Sequence, residues 1–179
     1  QVSELTAAAM EGGMKFQDAL QARLDLLRPS RQQIHACLRD HPFQLVPRVD
    51  EFIAKLHALN KHVYLVSGGF HIMIEPVAAQ LGINAETNIV ANRIVHNDDG
   101  AYTGFDPNEP TSMDMGKPKA LETIQSRGKY QCMVMIGDGA TDAQAKPPAR
   151  AFIGFGGVAV RQKVVESADW FVTDFGDLL

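Results

Sequence analysis

Two acids and a glycine turn follow an apolar run in the second half of the chain. The stretch 134–136 is typical of a buried parallel strand that ends at Gly137. Asp138 and Asp142 come directly after it. In open α/β sheets, ligands bind beyond the carboxyl ends of the strands, and Mg²⁺ takes carboxylate, water and phosphate oxygens. The pattern therefore predicts a magnesium and phosphate site, although Asp, Gly and Thr are also ordinary turn formers.

A serine and two glycines end a second predicted strand, which covers 62–67. Ser67, Gly68 and Gly69 come directly before a predicted helix at 70–81. A hydroxyl beside the free N–H groups of a helix start can bind an anion. The alternative is a plain glycine turn in which Ser67 caps the helix. No GxSxG pattern surrounds the serine, which argues against a serine hydrolase.

Two cations could complete such a site. Lys117 stands at the start of a predicted helix over 117–127, where the helix dipole is already positive, so a nearby anion would explain it. Lys119 is the competing candidate, and a solvated lysine is the ordinary explanation for either residue. Arg23 lies among apolar neighbours in ALQARLDLL and could hold a carboxylate through two parallel hydrogen bonds, although most such arginines are solvated.

The elements that would position these residues alternate along most of the chain. Residues 2–40 are predicted to be helical throughout, and strands then alternate with helices up to the last strand at 170–173. A hairpin is predicted within 88–105. We therefore expect an α/β fold with a doubly wound, mostly parallel, Rossmann-like sheet and a small all-helical cap. The expected domains are a cap segment at 1–46 and an α/β core at 47–179.

Composition limits the classes of protein. The chain has 179 residues, 45% of them hydrophobic, which fits one domain with a small cap. Its net charge of −4 argues against a nucleic-acid partner or an anionic membrane surface. No apolar run approaches the ~20 residues that span a bilayer. The spacing of cysteines and histidines gives no zinc-binding pattern.

Several motifs together are more specific than any one of them. The ordered set SGGF, ANR, GFDPNEPTS, GK, MIGDGATD and FIGFGG resembles the haloacid-dehalogenase superfamily of phosphotransferases, and within it the family of phosphoserine phosphatases. With VSELTAAAM near the start, the resemblance covers essentially the whole chain. It implies a hydrolase of serine biosynthesis that uses Mg²⁺ to convert O-phospho-L-serine to L-serine and phosphate through an aspartyl-phosphate.

The resemblance also implies roles for the residues around the phosphate. Asp138 would bind Mg²⁺. Asp142 would support the metal site without binding the ion directly. Ser67 and Gly68 would bind the transferring phosphoryl group, and Lys117 would neutralise its charge.

The same resemblance assigns residues to the rest of the substrate. Arg23, with Met10 and Phe16 beside it, would hold the amino-acid end, and Thr141 is a further candidate for the phosphate. We expect a small-molecule substrate with no nucleic-acid or membrane partner, and a homodimer is compatible with this. The expected location is the cytoplasm, or an organelle after removal of a transit peptide.

One family motif is absent from the sequence. The DxDxT motif supplies the aspartate nucleophile, and Asp106 and Asp114 cannot replace it, because they lie in a loop and just before a helix. We expect that the chain starts partway through a longer protein, that the first, central strand of its sheet is missing, and that these residues alone are inactive. The alternatives are a degenerate member acting as a binding or structural subunit, or a phosphatase of another small phosphomonoester, such as phosphohomoserine or phosphoethanolamine.

Overall fold

The structure, a computed structural model, describes residues 15–179. Met10 and the predicted helix around it lie outside the described residues. The chain divides into two compact units. Unit 1 is formed by the described part of Gln1–Phe43 and by Leu65–Gly116, and unit 2 by Gln44–Tyr64 and Lys117–Leu179. The expected division into a cap segment and a core at residue 46 stays a prediction.

Helices and strands alternate along the described chain, as the sequence predicts. In chain order they are α1 (Phe16–Leu27), α2 (Arg31–Asp40), α3 (Val49–Ala58), β1 (Leu65–Phe70), α4 (His71–Gln80), α5 (Ala85–Asn88), β2 (Ile89–Asn92), β3 (Ile94–His96), β4 (Tyr102–Phe105), α6 (Gly116–Gly128), β5 (Val134–Gly137), α7 (Ala140–Ala143), β6 (Ala151–Phe155), α8 (Gln162–Ser167) and β7 (Trp170–Val172), with 3₁₀ turns at Pro110–Ser112 and Phe175–Leu178. None of the helices among residues 15–179 combines the length and the apolar character needed to cross a bilayer.

Unit 1 holds a parallel pair and an antiparallel hairpin. Strands β1 and β2 are parallel, and β3 pairs with β4 antiparallel. The run Asn97-Asp98-Asp99-Gly100 predicts the turn of this hairpin, and the Gly100 N–H donates to the Asn97 carbonyl there over 2.9 Å. Gly100 has a φ of 80°, a conformation that a residue without a Cβ adopts at no steric cost.

Helix α1 packs against that hairpin through one apolar face. Leu20 and Leu24 are four residues apart, so they lie on the same side of the helix, and both are buried together with Tyr102 of β4. Phe16 and Phe70 pack against this cluster at its margin. Burial of this face explains why the apolar periodicity of the sequence predicts the helix correctly.

Unit 2 contains a sheet of three parallel strands in the order β5-β6-β7. Its central strand carries Phe152, which is fully buried, and Val172 on β7 is nearly so. Parallel strands joined by helices confirm the predicted α/β class. Among the described residues β1 pairs only with β2, and β5 only with β6. The expected loss of a central strand stays a prediction.

The first strand begins later than its apolar run indicates. The sequence predicts a strand over 62–67, whereas β1 covers Leu65–Phe70 and contains the glycines. A bulge accounts for the extension past residue 67: Ser67 pairs with Ala91, but the next pair along the ladder joins Phe70 to Asn92. Pairing with a distant strand therefore extends β1 through a segment that local sequence assigns to a turn.

Two tyrosines and a histidine join the segment before β1 to the segment before β5. The Tyr64 and Tyr130 hydroxyls share a hydrogen bond of 2.9 Å, and His62 Nδ1 also contacts the Tyr130 hydroxyl. The His62 ring stands edge-on to that of Tyr130 with centroids 5.4 Å apart. Burial, and to a smaller extent the hydrogen bond to Tyr130, raises the pKa of Tyr64 to about 12.

We expect the ionisation of Tyr64 to be visible in an alkaline titration. The folded-state pKa lies above the ordinary value of about 10, so the neutral tyrosine stabilises the fold below pH 10, and this contribution is lost as the pH rises through 12. The difference between the ultraviolet titrations of the parent and of Tyr64→Phe isolates this group. Tyr130→Phe should move its ionisation toward lower pH, and a Tyr64 transition near pH 10 in the parent would contradict the structure.

Candidate active site

The predicted phosphate-site lysine is paired with a buried acid in unit 2. Lys117 Nζ contacts Asp142 Oδ1, and the exposed fractions of the two side chains are 17% and 6%. Asp142 Oδ2 accepts a hydrogen bond of 2.9 Å from the Gly139 N–H. A Cβ on Gly137 would lie 2.2 Å from Asp142 Cγ, so only glycine allows the carboxylate this position. The cation at the start of α6 thus has the nearby anion that its position in the sequence predicts.

Asp138 projects from the turn after β5, and its side chain is half exposed. Arg161 Nη1 donates to the Asp138 carbonyl over 2.6 Å and also contacts Asp138 Oδ2. Strands β5 and β6 are parallel neighbours, so residues that follow them meet at one edge of the sheet. Sequence reasoning missed Arg161. The signal that could have found it is its place in the loop that follows β6.

The unit 2 residues therefore form a charged cluster of defined composition. It contains the carboxylates Asp138 and Asp142 and the cations Lys117 and Arg161, with exposed Thr141 on the same turn. Two cations beside a strand end can neutralise an anion, and a half-exposed carboxylate can bind a cation. Among residues 15–179, no group of three or more acidic, histidine or cysteine side chains is close enough to hold a metal without other ligands.

The glycine loop, residues 67–69, lies in unit 1 within the second half of β1. The Gly69 N–H donates to Ser67 Oγ over 3.0 Å. A Cβ on Gly68 would lie 3.4 Å from Cζ of Phe16, so the ring of α1 packs against the loop. The structure thus brings together Phe16 and Gly68, two residues that sequence reasoning placed in the substrate site.

Arg23 lies on α1, seven residues after Phe16 and hence on the same face of the helix. Its Nε donates to the Ala19 carbonyl over 3.2 Å. Partial burial lowers the pKa of the guanidinium below its usual range. A cation that has lost part of its hydration gains from an anionic ligand, which suits a side chain expected to hold a carboxylate.

The two acids that were excluded as nucleophiles have structural partners. Asp114 Oδ1 accepts a hydrogen bond of 3.1 Å from the Phe16 N–H at the start of α1. Asp106 Oδ1 accepts from the Asn108 N–H over 2.9 Å. Both carboxylates fix the backbone within unit 1.

Comparison with known proteins points to one kind of enzyme. A family model described as haloacid dehalogenase-like hydrolase matches residues 1–146. The phosphoserine phosphatase of Rattus norvegicus is 46% identical over 178 residues, which cover 99% of this chain and 79% of that protein. The chloroplastic phosphoserine phosphatase of Arabidopsis thaliana is 46% identical over 180 residues, covering 99% of this chain and 61% of that protein.

The fold is shared with a solved structure of the same kind. A phospho-aspartyl intermediate analogue of phosphoserine phosphatase superimposes with a TM-score of 0.79 at 26% sequence identity. The match covers 99% of this chain and 82% of that one. The expected haloacid-dehalogenase type of α/β fold is thereby confirmed.

Proposed function

Because the chain belongs to the phosphoserine phosphatases of the haloacid dehalogenase-like hydrolases, we propose that it serves the Mg²⁺-dependent hydrolysis of O-phospho-L-serine to L-serine and phosphate. The observation that carries the proposal is the Lys117–Asp142 pair at the carboxyl end of β5. Phosphoryl transfer spreads negative charge over three oxygens, so catalysis is mostly positioning and charge neutralisation. A lysine held in place by a buried acid provides that charge with little reorganisation.

The donor set of unit 2 fits a magnesium ion. Phosphatases of this family generally use a metal ion. Mg²⁺ typically takes one or two carboxylates and fills its other positions with water and phosphate oxygens. In our proposal, Asp138 supplies the exposed carboxylate and Asp142, already hydrogen-bonded to Gly139, orients the turn that carries it. When bound, the ion would offset charge on the phosphoryl oxygens.

Unit 1 carries further residues that the resemblance assigns to the substrate. Ser67 and the glycine-loop amides would donate hydrogen bonds to phosphoryl oxygens, while Arg23 would hold the carboxylate of the serine moiety. Phe16 would pack beside that end. The aspartate that accepts the phosphoryl group would come from a DxDxT motif, which these 179 residues do not contain.

A substrate panel tests the proposal. Phosphate release with Mg²⁺ is measured for O-phospho-L-serine, phosphohomoserine and phosphoethanolamine, the last of which lacks the carboxylate. The 179-residue chain is compared with a chain extended upstream through DxDxT. We expect turnover by the extended chain, with phosphoserine preferred. Binding of phosphoserine without turnover by the extended chain would favour the binding-subunit alternative, and equal rates on all three compounds would overturn the substrate assignment.

We expect Arg23→Ala to weaken turnover of phosphoserine selectively. Truncating one partner of a desolvated, hydrogen-bonded charge pair costs about 2–5 kcal/mol, or roughly 30- to 4,000-fold in kcat/KM. The rate on p-nitrophenyl phosphate, which has no carboxylate, should change far less. Arg39→Ala, which removes an exposed arginine from α2, is the control. Equal losses on both substrates would mean that Arg23 supports the fold instead.

A further inference from the structure

The glycine loop is made by a bulge of two residues. Ser67 pairs with Ala91 and Phe70 pairs with Asn92, so Gly68 and Gly69 have no opposite residue on β2. A bulge takes its backbone groups out of the ladder. Each buried group that leaves the ladder needs another partner, since an unpaired one costs free energy.

The side chain of Asn92 provides that partner for Gly68. Asn92 is fully buried, and its Nδ2 donates to the Gly68 carbonyl over 2.8 Å. Its Oδ1 accepts a hydrogen bond of 3.1 Å from Oγ1 of Thr111, which is also buried. A carbonyl can only accept, so the amide must present its NH₂ to Gly68 and its oxygen to Thr111. The orientation of Asn92 is thereby fixed.

These contacts fix one peptide plane from both sides. The Gly68 carbonyl and the Gly69 N–H belong to the same planar unit. Asn92 holds its oxygen, and Ser67 Oγ accepts from its N–H over 3.0 Å. A hydroxyl carries one donor and two acceptor sites, so this bond leaves the Ser67 proton available for an acceptor outside the loop.

We propose that Asn92, oriented by Thr111, is a positioning residue that holds the Gly68–Gly69 peptide so that Ser67 donates its proton to a phosphoryl oxygen. The inference rests on the proposed function and adds two residues to which sequence reasoning gave no role. Asn92 is fully buried and bonds to the loop, so its effect on the substrate would pass through Ser67. The chemical group recognised is a phosphate monoester or inorganic phosphate.

Three variants of the chain extended upstream through DxDxT, with that extended chain as the parent, test this role. Thr111→Val removes one hydroxyl at constant shape, Thr111→Ser restores it, and Asn92→Asp removes the donor to Gly68. A misplacement of about 1 Å can cost on the order of a hundredfold in rate. We expect a fall in kcat of about a hundredfold for Asn92→Asp and about tenfold for Thr111→Val, with Thr111→Ser near the parent. If Asn92→Asp does not fold, Thr111→Val and its rescue carry the test.

Product inhibition separates positioning from a general structural effect. Inorganic phosphate reports on the glycine loop, and L-serine reports on the other end of the substrate. Inhibition by phosphate should weaken in parallel with kcat, whereas inhibition by L-serine should not change. Folded variants with parental kcat and phosphate inhibition, or an equal weakening of both inhibitors, would overturn the inference.

The same design distinguishes this inference from the proposed function. Failure of the chain extended through DxDxT to hydrolyse phosphoserine would overturn the proposed function. Protection by inorganic phosphate against thermal unfolding is therefore measured for the parent and every variant. Loss of that protection in Thr111→Val and its return in Thr111→Ser support the role of Asn92 without turnover, and unchanged protection contradicts it.

Discussion

Replacing Lys117 with methionine in the chain extended through DxDxT is expected to lower both activity and stability, by mechanisms that can be measured separately. The loss of activity should reach about 10³-fold, because removing one preorganised donor from a developing oxyanion costs roughly 10²–10³-fold and this donor is also charged. The loss of stability should be about 3–5 kcal/mol, since Asp142 would remain as a buried, unpaired carboxylate.

A double variant separates the two effects. In Lys117→Met with Asp142→Asn, no buried charge is left uncompensated, so most of the free energy of unfolding should return, while activity should not. Lys119→Met is the matched control, because it removes an exposed lysine two residues along the same helix. Denaturant unfolding and phosphate release are measured for the parent and for these three variants. If Lys119→Met lost the activity and Lys117→Met kept it, our choice between the two lysines would be wrong.

In the same extended chain, Asp138→Asn is expected to abolish metal-dependent turnover while leaving the fold intact. The contribution of a Lewis-acid metal is several kcal/mol, which corresponds to a loss of about a thousandfold. The side chain is 52% exposed and its pair with Arg161 is at the surface, so the effect on stability should stay within about 1 kcal/mol.

A magnesium titration of the rate checks this expectation. The parent should show saturation with Mg²⁺, and Asp138→Asn should show almost no response to the ion. Asp99→Asn makes the same chemical change at an exposed position in the hairpin turn and should behave as the parent. A normal magnesium response in Asp138→Asn would exclude this carboxylate as a metal ligand.

Local patterns predict the elements that local interactions form. The apolar run AFIGF predicts a strand at 151–155, and β6 has those bounds, because an apolar run between turn formers is typical of a buried parallel strand. By contrast, the bounds of β1 depend on its register with β2. The residues near Ser67 in the sequence do not reveal that register. That register also creates the need for Asn92, so the asparagine of the ANR motif has a structural role that its own neighbours in sequence do not reveal.

In the candidate site, too, local sequence indicates some of the residues but not the contacts between them. Residue types at a strand end indicate Asp138 and Asp142, and a cation at a helix start indicates Lys117, with Lys119 as its competitor, since the chemistry of phosphate restricts the choice. The sequence could not show that Lys117 and Asp142 contact each other across 25 positions, or that Arg161 contacts Asp138. Such pairs depend on the positions of helix α6, of strands β5 and β6 and of the loops that follow these strands, and the distances become known only once these are assembled.

The division of the chain into two units has a consequence for the order of folding. Each unit is built from two separate segments, so Tyr64 and Lys117 of unit 2 are joined through residues 65–116 of unit 1. Closing a flexible loop of roughly 50 residues costs on the order of 3.5 kcal/mol of free energy, because the chain loses conformational entropy. Within unit 1, β1 contacts the 3₁₀ turn Pro110–Ser112, so folding of unit 1 shortens the effective loop. Unit 1 therefore lowers the entropic barrier to the folding of unit 2, and a destabilised β1–β2 pair would slow both.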